Sequence, residues 1–586
     1  MNLRLTILAL PLAALCGLAA CSHAPVTSMA TTPDAFAPIL ETAHRDGDDL
    51  ISAGLGIDGL RSPVPPGIAN PDAPTASELR RRAIWTNWRG IADLRPGGGA
   101  GDELSAVPGR EFSALAHLAG AGQPHRVLMQ LPDHFDPTRP CLVIAPSSGS
   151  RGVYGAIAVA APWALPRACA VVYTDKGTGT DYVDLATGNR TGLDGLPTSS
   201  DAGAAFVPAG DASAGIAFKH AHSQDNPEAD WGRHVHQAAE FGLAMLARAF
   251  PGHGAFTAEN TRVIAVGIST GGGAVLRAAE IGDGLIDAVV AGEPNIHADA
   301  PGARPLYDYA TLAARLMPCA ALALEDWPVP PLPDGLRALG KLRCQGLAAR
   351  GELSGNGVAA QAADARAQLK AAGFDPHALH SGITTTGFDL WRAVAAPYAS
   401  AYGRFPAGAH PCGYDYRLLD EQGAVRPSTA AERAAWWSDG SGIPPGNGIA
   451  LFDPQYDGDD PGLAGLDCLR ELWTGDSEAA RRVREGIAAT RAGLPRSGLP
   501  IVVVHGRDDG LVPVAFSSAP YVAMAQAAGR PVSFWKIPQA QHFDAFLALP
   551  DYARRYVPLL PRVHAALDAV WARLDNPATP IPVSAP

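Results

Sequence analysis

Residues Thr261–Ala274 read TRVIAVGISTGGGA, and this stretch decides the fold class. An apolar, β-branched run (263–266) predicts a buried strand, and an alanine-rich helical pattern follows from residue 274 to 281. Between them stands Gly267-Ile268-Ser269-Thr270-Gly271, a G-x-S-x-G motif at a strand-to-helix turn. Such a turn presents the Ser269 hydroxyl above the sheet edge, as a nucleophile requires. A glycine-rich turn with an incidental serine explains the motif equally well. The assignment of Ser269 as a nucleophile therefore depends on other residues.

Further strands and helices alternate on both sides of this stretch. The apolar runs 141–145 and 170–173 flank a helical segment, which is the pattern of a βαβ unit and predicts a parallel sheet. Residues 286–291, 499–504 and 532–537 predict three more strands of the same kind. We therefore expect an α/β fold with a doubly wound, mostly parallel sheet.

Two residues complete a catalytic constellation with Ser269. A serine hydroxyl needs a neighbouring base, and the base needs a partner that fixes its tautomer. Asp509 follows the strand 499–504 in the sequence His505-Gly506-Arg507-Asp508-Asp509, and His542 follows the next strand. The chain order Ser, Asp, His is that of α/β-hydrolases. The prediction is a Ser269–Asp509–His542 triad, with Asp508 as the rival acid and His505 as a packing residue at the end of its strand.

The same chemistry needs donors for the oxyanion of the tetrahedral intermediate. One expected donor is the backbone N–H of Thr270, the residue after the nucleophile. The other is expected in the loop after the strand 141–145, where Ser148 and Gly149 are the candidates.

The alternation of predicted strands and helices stops between residues 295 and 498, where helical patterns and aromatic residues dominate. We interpret this segment as a helical lid inserted before the strand that carries Asp509. The expected organisation is a signal segment (1–21), a tether (22–33), the first part of an α/β-hydrolase core (34–294), the lid (295–498), the second part of the core (499–576) and a tail (577–586).

The N-terminal segment predicts export. Arg4 precedes an apolar run that closes with Leu18-Ala19-Ala20-Cys21, which resembles the lipobox of bacterial lipoproteins. Lipidation of Cys21 would attach the protein to a membrane surface, and the non-acidic Ser22 favours the outer membrane. An ordinary secretory signal is the alternative, so the expected location is the outer membrane, the periplasm or cell surface, or the medium.

The eight cysteines indicate how the exported chain could be cross-linked. Without Cys16 and Cys21 six cysteines remain, and an even number in an exported chain is consistent with disulfides. We choose sequential pairing among the fifteen possibilities, with free buried cysteines as the alternative; the pairs are Cys141–Cys169, Cys319–Cys344 and Cys412–Cys468.

The net charge of −12 and the lack of a basic patch argue against nucleic acid as a partner. The histidines 220, 222, 234 and 236 lack the spacing of a metal site, and no cofactor is expected. The subunit number is not predicted.

Three segments carry a family resemblance: the turn 267–274, the run Lys219-His220-Ala221-His222-Ser223-Gln224 with its continuation to Gly232, and Asp48-Asp49-Leu50 through Gly56. Over most of the chain the sequence resembles the 3-hydroxybutyrate oligomer hydrolases. The resemblance implies an esterase that converts short (R)-3-hydroxybutyrate oligomers, left by poly(3-hydroxybutyrate) depolymerases, into monomer, with Ser269 as nucleophile. For Lys219, His220 and His222 we hypothesise binding of the oligomer carboxylate; anchoring of a loop is the alternative.

Two other functions are consistent with parts of the sequence. Tannase and feruloyl esterases also have S-T-G-G at this turn, but they place cysteines beside the catalytic serine and histidine, where this chain has Ile268, Gln541 and Phe543. A surface lipoprotein that keeps the fold for binding without catalysis is the other alternative. The intact set of three triad residues argues against it.

Overall fold

The computed structural model describes residues 33–324, 332–438, 446, 448–456 and 460–585. The predicted signal segment, Cys21 and all but the last residue of the predicted tether lie outside these ranges. Among the described residues, no helix combines the length and apolarity of a membrane span.

Fifteen strands are assigned in the described residues. In chain order they are β1 (Leu40–His44), β2 (Gly109–Ala116), β3 (His125–Pro132), β4 (Cys141–Pro146), β5 (Ala170–Thr174), β6 (Val183–Asp184), β7 (Arg190–Thr191), β8 (Pro197–Thr198), β9 (Ile216–Ala217), β10 (Arg262–Ile268), β11 (Ala288–Gly292), β12 (Asp415–Leu418), β13 (Ile449–Phe452), β14 (Ile501–Gly506) and β15 (Ser533–Ile537).

Nine of these strands form one twisted sheet in the order β1-β2-β3-β5-β4-β10-β11-β14-β15. The pairs from β5 to β15 are parallel, and the pairs that join β1, β2, β3 and β5 are antiparallel. The sheet is therefore mostly parallel, as the sequence predicts. The inner parallel strands β4, β10 and β14 are mainly apolar and almost completely buried, because helices cover both faces of the sheet.

Among the described residues, nine α-helices lie outside the segment predicted as a lid. They are α1 (Gly56–Arg61), α2 (Ala76–Ile91), α3 (Ile157–Ala164), α4 (Lys219–His222), α5 (Trp231–Ala249), α6 (Thr270–Ala278), α15 (Ser518–Ala527), α16 (Tyr552–Arg555) and α17 (Leu560–Asp575). One face of the sheet packs on α2, α3 and α17, and the other on α5, α6 and α15. Two apolar cores on opposite faces are the signature of a doubly wound fold.

The predicted lid segment is mainly helical. Its described helices are α7 (Leu306–Ala320), α8 (Asp334–Ala349), α9 (Val358–Ala371), α10 (Pro376–Gly387), α11 (Leu390–Gly403), α12 (Ala430–Trp436), α13 (Leu463–Thr474) and α14 (Glu478–Ala488). Most of them share a core separate from those of the sheet. The segment also contains the antiparallel pair β12–β13, which packs against the excursion around β6 and β9. That excursion, in residues 178–225, thus packs on the segment predicted as a lid.

Three disulfides join the six cysteines in sequential order. Cys141 and Cys169 stand at the starts of the neighbouring parallel strands β4 and β5, with 4.6 Å between their Cα atoms. The pairs Cys319–Cys344 and Cys412–Cys468 both lie within the lid. Because each pair closes a loop of the unfolded chain, each is expected to stabilise the folded state.

Replacing both Cys412 and Cys468 by alanine is expected to lower the free energy of unfolding by about 2–4 kcal/mol. The bond closes a separation of 56 residues, and the loss of unfolded-state constraint sets this magnitude. Urea unfolding followed by tryptophan fluorescence measures it, with the Cys141→Ala/Cys169→Ala variant as a comparison outside the lid. An unchanged unfolding midpoint would contradict the expectation.

Candidate active site

Ser269 lies in a strained turn between β10 and α6. Its backbone angles are φ 54° and ψ −122°, a conformation that is costly for a residue with a side chain and typical of functional sites. A Cβ atom on Gly267 would lie 2.3 Å from the Gly271 carbonyl oxygen, and one on Gly271 would lie 2.6 Å from the Pro146 carbonyl oxygen. Both outer positions of the G-x-S-x-G motif therefore require glycine.

Replacing Gly271 by alanine is expected to destabilise the fold by about 1–3 kcal/mol and to lower kcat. The new methyl group would press on the Pro146 carbonyl, where the candidate oxyanion loop leaves β4. Thermal unfolding and initial rates measure the two effects. Gly282→Ala is the matched control, because a Cβ there would have no atom within 4 Å. Equal behaviour of the two variants would contradict the steric argument.

His542 and Asp509 approach Ser269 from the ends of two other strands. His542 Nε2 lies 3.0 Å from Ser269 Oγ, and His542 Nδ1 lies 2.7 Å from Asp509 Oδ2. Because Ser269 follows β10, Asp509 follows β14 and His542 follows β15, all three stand at the carboxyl edge of the parallel sheet. The structure thus brings the three residues of the predicted triad into one hydrogen-bonded chain.

Asp509 accepts hydrogen bonds on both carboxylate oxygens. Oδ1 accepts from the backbone N–H groups of Leu511 and Val512 at 2.9 and 2.7 Å. Oδ2 accepts from His542 and also lies 3.2 Å from His505 Nε2. Burial alone would raise the pKa of Asp509, but the two histidines and their hydrogen bonds outweigh it and hold that pKa well below its usual range. Asp509 is therefore ionised at neutral pH.

His505 supports the acid rather than only packing at the end of its strand. Its Nε2 faces two acceptors, Asp509 Oδ2 and the Val512 carbonyl oxygen at 2.9 Å, so this nitrogen carries the hydrogen. Its Nδ1 accepts from the Ser518 hydroxyl at 2.6 Å. The rival acid Asp508 points elsewhere, with its Oδ1 2.9 Å from His377 Nδ1.

The loop after β4 brings Gly149 next to Thr270, the residue after the nucleophile, whose hydroxyl donates to the Gly149 carbonyl at 3.3 Å. The Ser148 N–H donates to the Gly155 carbonyl at 3.3 Å, so it is engaged within the loop. Among the described residues no acceptor lies within hydrogen-bond distance of the Gly149 N–H. Thr270 is the first residue of α6, where an N–H has no partner within its helix. Of the predicted oxyanion donors, the geometry therefore favours Gly149 and Thr270 over Ser148.

Lys176, which the sequence analysis did not single out, fixes this loop. Its buried Nζ donates to Ser147 Oγ, the Gly149 carbonyl and Thr178 Oγ1 at 3.1, 2.8 and 3.0 Å. Burial lowers the pKa of Lys176 to about 7. Lys176 follows β5, the sheet neighbour of β4, and this adjacency is invisible in the sequence.

A cavity of about 530 Å³ opens at Ser269 between the core and the lid. This volume is within the usual range for small-molecule sites. The lining is mainly apolar and comes from both parts of the chain. Lid residues contribute Leu306, Phe388, Leu390 and Val394, and the segment after β15 contributes Phe543 and Phe546.

Glu293 is a second acidic residue beside the triad. It follows β11, lines the cavity, and has a carboxylate atom within 4.8 Å of ligand-type atoms of Asp509 and His542. Burial, together with the charges of Asp509 and Asp544, raises the pKa of Glu293 well above its usual value. The raised pKa favours the protonated form of Glu293 next to the Asp509 carboxylate. Sequence reasoning missed it because only the sheet order places β11 beside β14.

The hypothesis that Lys219, His220 and His222 bind substrate is not supported, because none of the three is among the described residues that line the cavity. Lys219 Nζ pairs with Asp175 and Asp181 at 3.0 and 3.4 Å. His220 bonds to Ser150, and His222 Nδ1 accepts from the Phe218 N–H at 3.1 Å. Burial lowers the pKa of both histidines to about 3, so both are neutral. Their contacts are those of a loop anchor.

A doubly wound sheet with Ser269, Asp509 and His542 in contact at its carboxyl edge defines the class of α/β-hydrolases with a serine triad. Within this class, the family model described as 3HB-oligomer hydrolase (3HBOH) matches residues 14–585. The chain belongs to the 3HB-oligomer hydrolase family.

Individual relatives agree with this assignment. The D-(-)-3-hydroxybutyrate oligomer hydrolase of Paracidovorax citrulli (strain AAC00-1) is 40% identical over 617 residues, which cover 92% of this chain and 86% of the relative. The protein of the same name from Burkholderia thailandensis is 38% identical over 646 residues, covering 98% and 92%. Among solved structures, Candida antarctica lipase A overlaps 78% of this chain and 79% of its own at 10% identity, with a TM-score of 0.33. A TM-score this low supports no conclusion about function.

Proposed function

We propose that this protein hydrolyses the ester bonds of short (R)-3-hydroxybutyrate oligomers and releases the monomer. The observation that carries the proposal is the hydrogen-bonded chain of Ser269, His542 and Asp509, which opens on a cavity in a member of this family. Relatives at 38–40% identity carry the name of that activity. In this proposal the enzyme acts on the oligomers that remain after the polyester has been depolymerised.

In the first half of the proposed reaction, Ser269 Oγ attacks the ester carbonyl carbon while His542 Nε2 takes its proton. Asp509 stabilises the imidazolium, and the N–H groups of Thr270 and Gly149 bind the oxyanion. When the intermediate collapses, the C–O bond of the ester breaks. The departing alkoxide oxygen takes the proton from His542 and leaves as a hydroxyl group, and a 3-hydroxybutyryl ester of Ser269 remains.

In the second half, water replaces the leaving alcohol. His542 takes a proton from the water as its oxygen attacks the acyl carbon, and the same two N–H groups bind the second oxyanion. Collapse returns the proton to Ser269 and releases 3-hydroxybutyrate. The apolar walls of the cavity hold the methyl groups of the substrate and keep other water away.

The test compares the 3-hydroxybutyrate dimer and trimer with a p-nitrophenyl ester and a feruloyl ester. Cleavage of the dimer and trimer to monomer is expected. Activity on aromatic esters alone would favour the tannase and feruloyl esterase alternative. If no ester is cleaved and a fluorophosphonate fails to label Ser269, a binding protein without catalysis is the correct description.

We also propose that the protein is exported and held at a membrane surface by lipid on Cys21. The apolar run that ends in Leu18-Ala19-Ala20-Cys21 supports this proposal. Mass spectrometry of the mature N-terminus tests it in the native host. An acylated cysteine as the first residue is expected, and cleavage at another position without acyl chains would contradict it.

A further inference from the structure

One wall of the cavity at Ser269 includes a cationic residue. Arg89 lies in the last turn of α2 and lines the cavity. Its guanidinium stacks on Trp85, with 5.0 Å between its carbon and the ring centroid. Its Nη1 donates to the carbonyls of Arg61 and Leu60 at 3.0 and 3.4 Å. These contacts hold the group in place and use the hydrogens of one of its three nitrogens.

The charge of Arg89 has no acidic partner in the described part of the chain. Burial lowers the pKa of Arg89, and no carboxylate there offsets this effect. Arg80 on the same helix shows the contrast. It pairs with Glu111 and Asp48 at 2.9 and 3.0 Å, and despite burial these acids raise its pKa. An unpaired, partly buried cation in the wall of the cavity that holds the catalytic serine is suited to bind an anion.

The two acidic residues of the cavity lining offset the positive charge of Arg89 only in part. The raised pKa of Glu293 favours its neutral form. Burial raises the pKa of Asp544 to about 7, and its two oxygens accept from the N–H groups of Leu559 and Leu560, both at 2.8 Å. The lining contains a second cation, Arg151, which donates to the carbonyl of Gly90, the residue after Arg89, at 3.2 Å. The cavity therefore favours a negatively charged ligand.

We propose that Arg89 binds the terminal carboxylate of the hydroxyacid oligomer while Ser269 attacks its ester. The proposal rests on the proposed function, because it assigns an end of that substrate to a residue. In the dimer, four covalent bonds separate the attacked carbonyl carbon from the carboxylate carbon, which is about 5 Å in an extended chain. Both groups therefore fit within one cavity. The planar guanidinium matches a carboxylate through two parallel hydrogen bonds.

The consequence is selectivity for chains with a free acid end. A neutral ester of the same oligomer offers the same bond for cleavage but no charge for Arg89. The interior of a polyester chain likewise carries no carboxylate. In this proposal Arg89, on α2, binds the carboxylate. The sequence had suggested Lys219, His220 and His222 for that role.

The experiment compares Arg89→Gln with the unaltered protein on the free-acid dimer and on its methyl ester. For the free acid, kcat/KM is expected to fall by about 10- to 100-fold, mainly through KM, since a charge-assisted hydrogen bond is lost. For the methyl ester, kcat/KM is expected to stay close to that of the unaltered protein. Arg89→Lys keeps the charge without the planar fork, so an intermediate value is expected. Arg167→Gln is the matched control, because Arg167 also stacks on a tryptophan, Trp163, but does not line the cavity.

The outcomes separate this proposal from the one on which it rests. An equal loss on the acid and the methyl ester would overturn the role of Arg89 and leave the function intact, as would an unchanged KM for the free acid. If the unaltered protein cleaves a p-nitrophenyl ester but neither hydroxybutyrate substrate, the proposed function is wrong, and the carboxylate assignment falls with it.

Discussion

Replacing Ser269 by alanine is expected to lower kcat on the hydroxybutyrate dimer by about 10⁶-fold. The alanine keeps the Cβ atom and the backbone of the turn but removes the oxygen that His542 Nε2 contacts at 3.0 Å. No covalent intermediate can then form, and the residual rate comes from the oxyanion donors and substrate binding. Initial rates of monomer release measure the effect.

Two measurements test whether a loss of folding or of substrate binding, and not the loss of the nucleophile, lowers kcat in Ser269→Ala. The thermal midpoint and far-ultraviolet circular dichroism of Ser269→Ala should match those of the unaltered protein, because the side chain makes no other described hydrogen bond. The dimer should still bind, since the apolar lining is untouched. A folded variant that keeps more than about 1% of kcat would show that another group is the nucleophile.

Replacing Asp509 by asparagine is expected to lower kcat by about 10⁴-fold. The carboxylate accepts on both oxygens, whereas asparagine has a single acceptor oxygen. If that oxygen keeps the bonds to the N–H groups of Leu511 and Val512, the amide N–H₂ faces His542 Nδ1. His542 then takes the tautomer with hydrogen on Nε2, which cannot accept the proton of Ser269.

Asp508→Asn is the matched control for this variant. Asp508 is the adjacent residue and also partners a histidine, His377, but it does not touch His542. Its kcat is expected to stay close to that of the unaltered protein. A large loss in Asp508→Asn together with a small loss in Asp509→Asn would reverse the assignment of the acid.

The residues at the carboxyl edge of the sheet were predictable because local sequence carries their signal. Ser269 stands in a motif whose glycines are required by close contacts of the backbone. Asp509 and His542 each follow a β-branched strand directly, and in a parallel sheet the ends of such strands lie at one edge. The fold class follows from the same alternation of strands and helices.

The supporting residues were not predictable because their roles depend on which strands are neighbours. Lys176 reaches the oxyanion loop only because β5 lies beside β4, and Glu293 reaches the triad only because β11 lies beside β14. The antiparallel strands β1 and β2 were missed since they precede the clear apolar runs. Lys219, His220 and His222 have side chains that could bind a carboxylate. In the structure they are buried and bond within their own loop and to its neighbours, so their contacts are those of a loop anchor.

The attachment of the lid has a further consequence. The chain leaves the core and returns to it at adjacent points, where Ala298 and Ala492 form a parallel bridge and the Ala492 N–H donates to the His297 carbonyl at 2.8 Å. The cost of closing a loop rises only slowly with its length. Insertions and deletions between these two points can therefore reshape the part of the cavity wall that this segment supplies, while the strand order and the catalytic edge stay unchanged. Substrate range can thus evolve separately from the catalytic machinery.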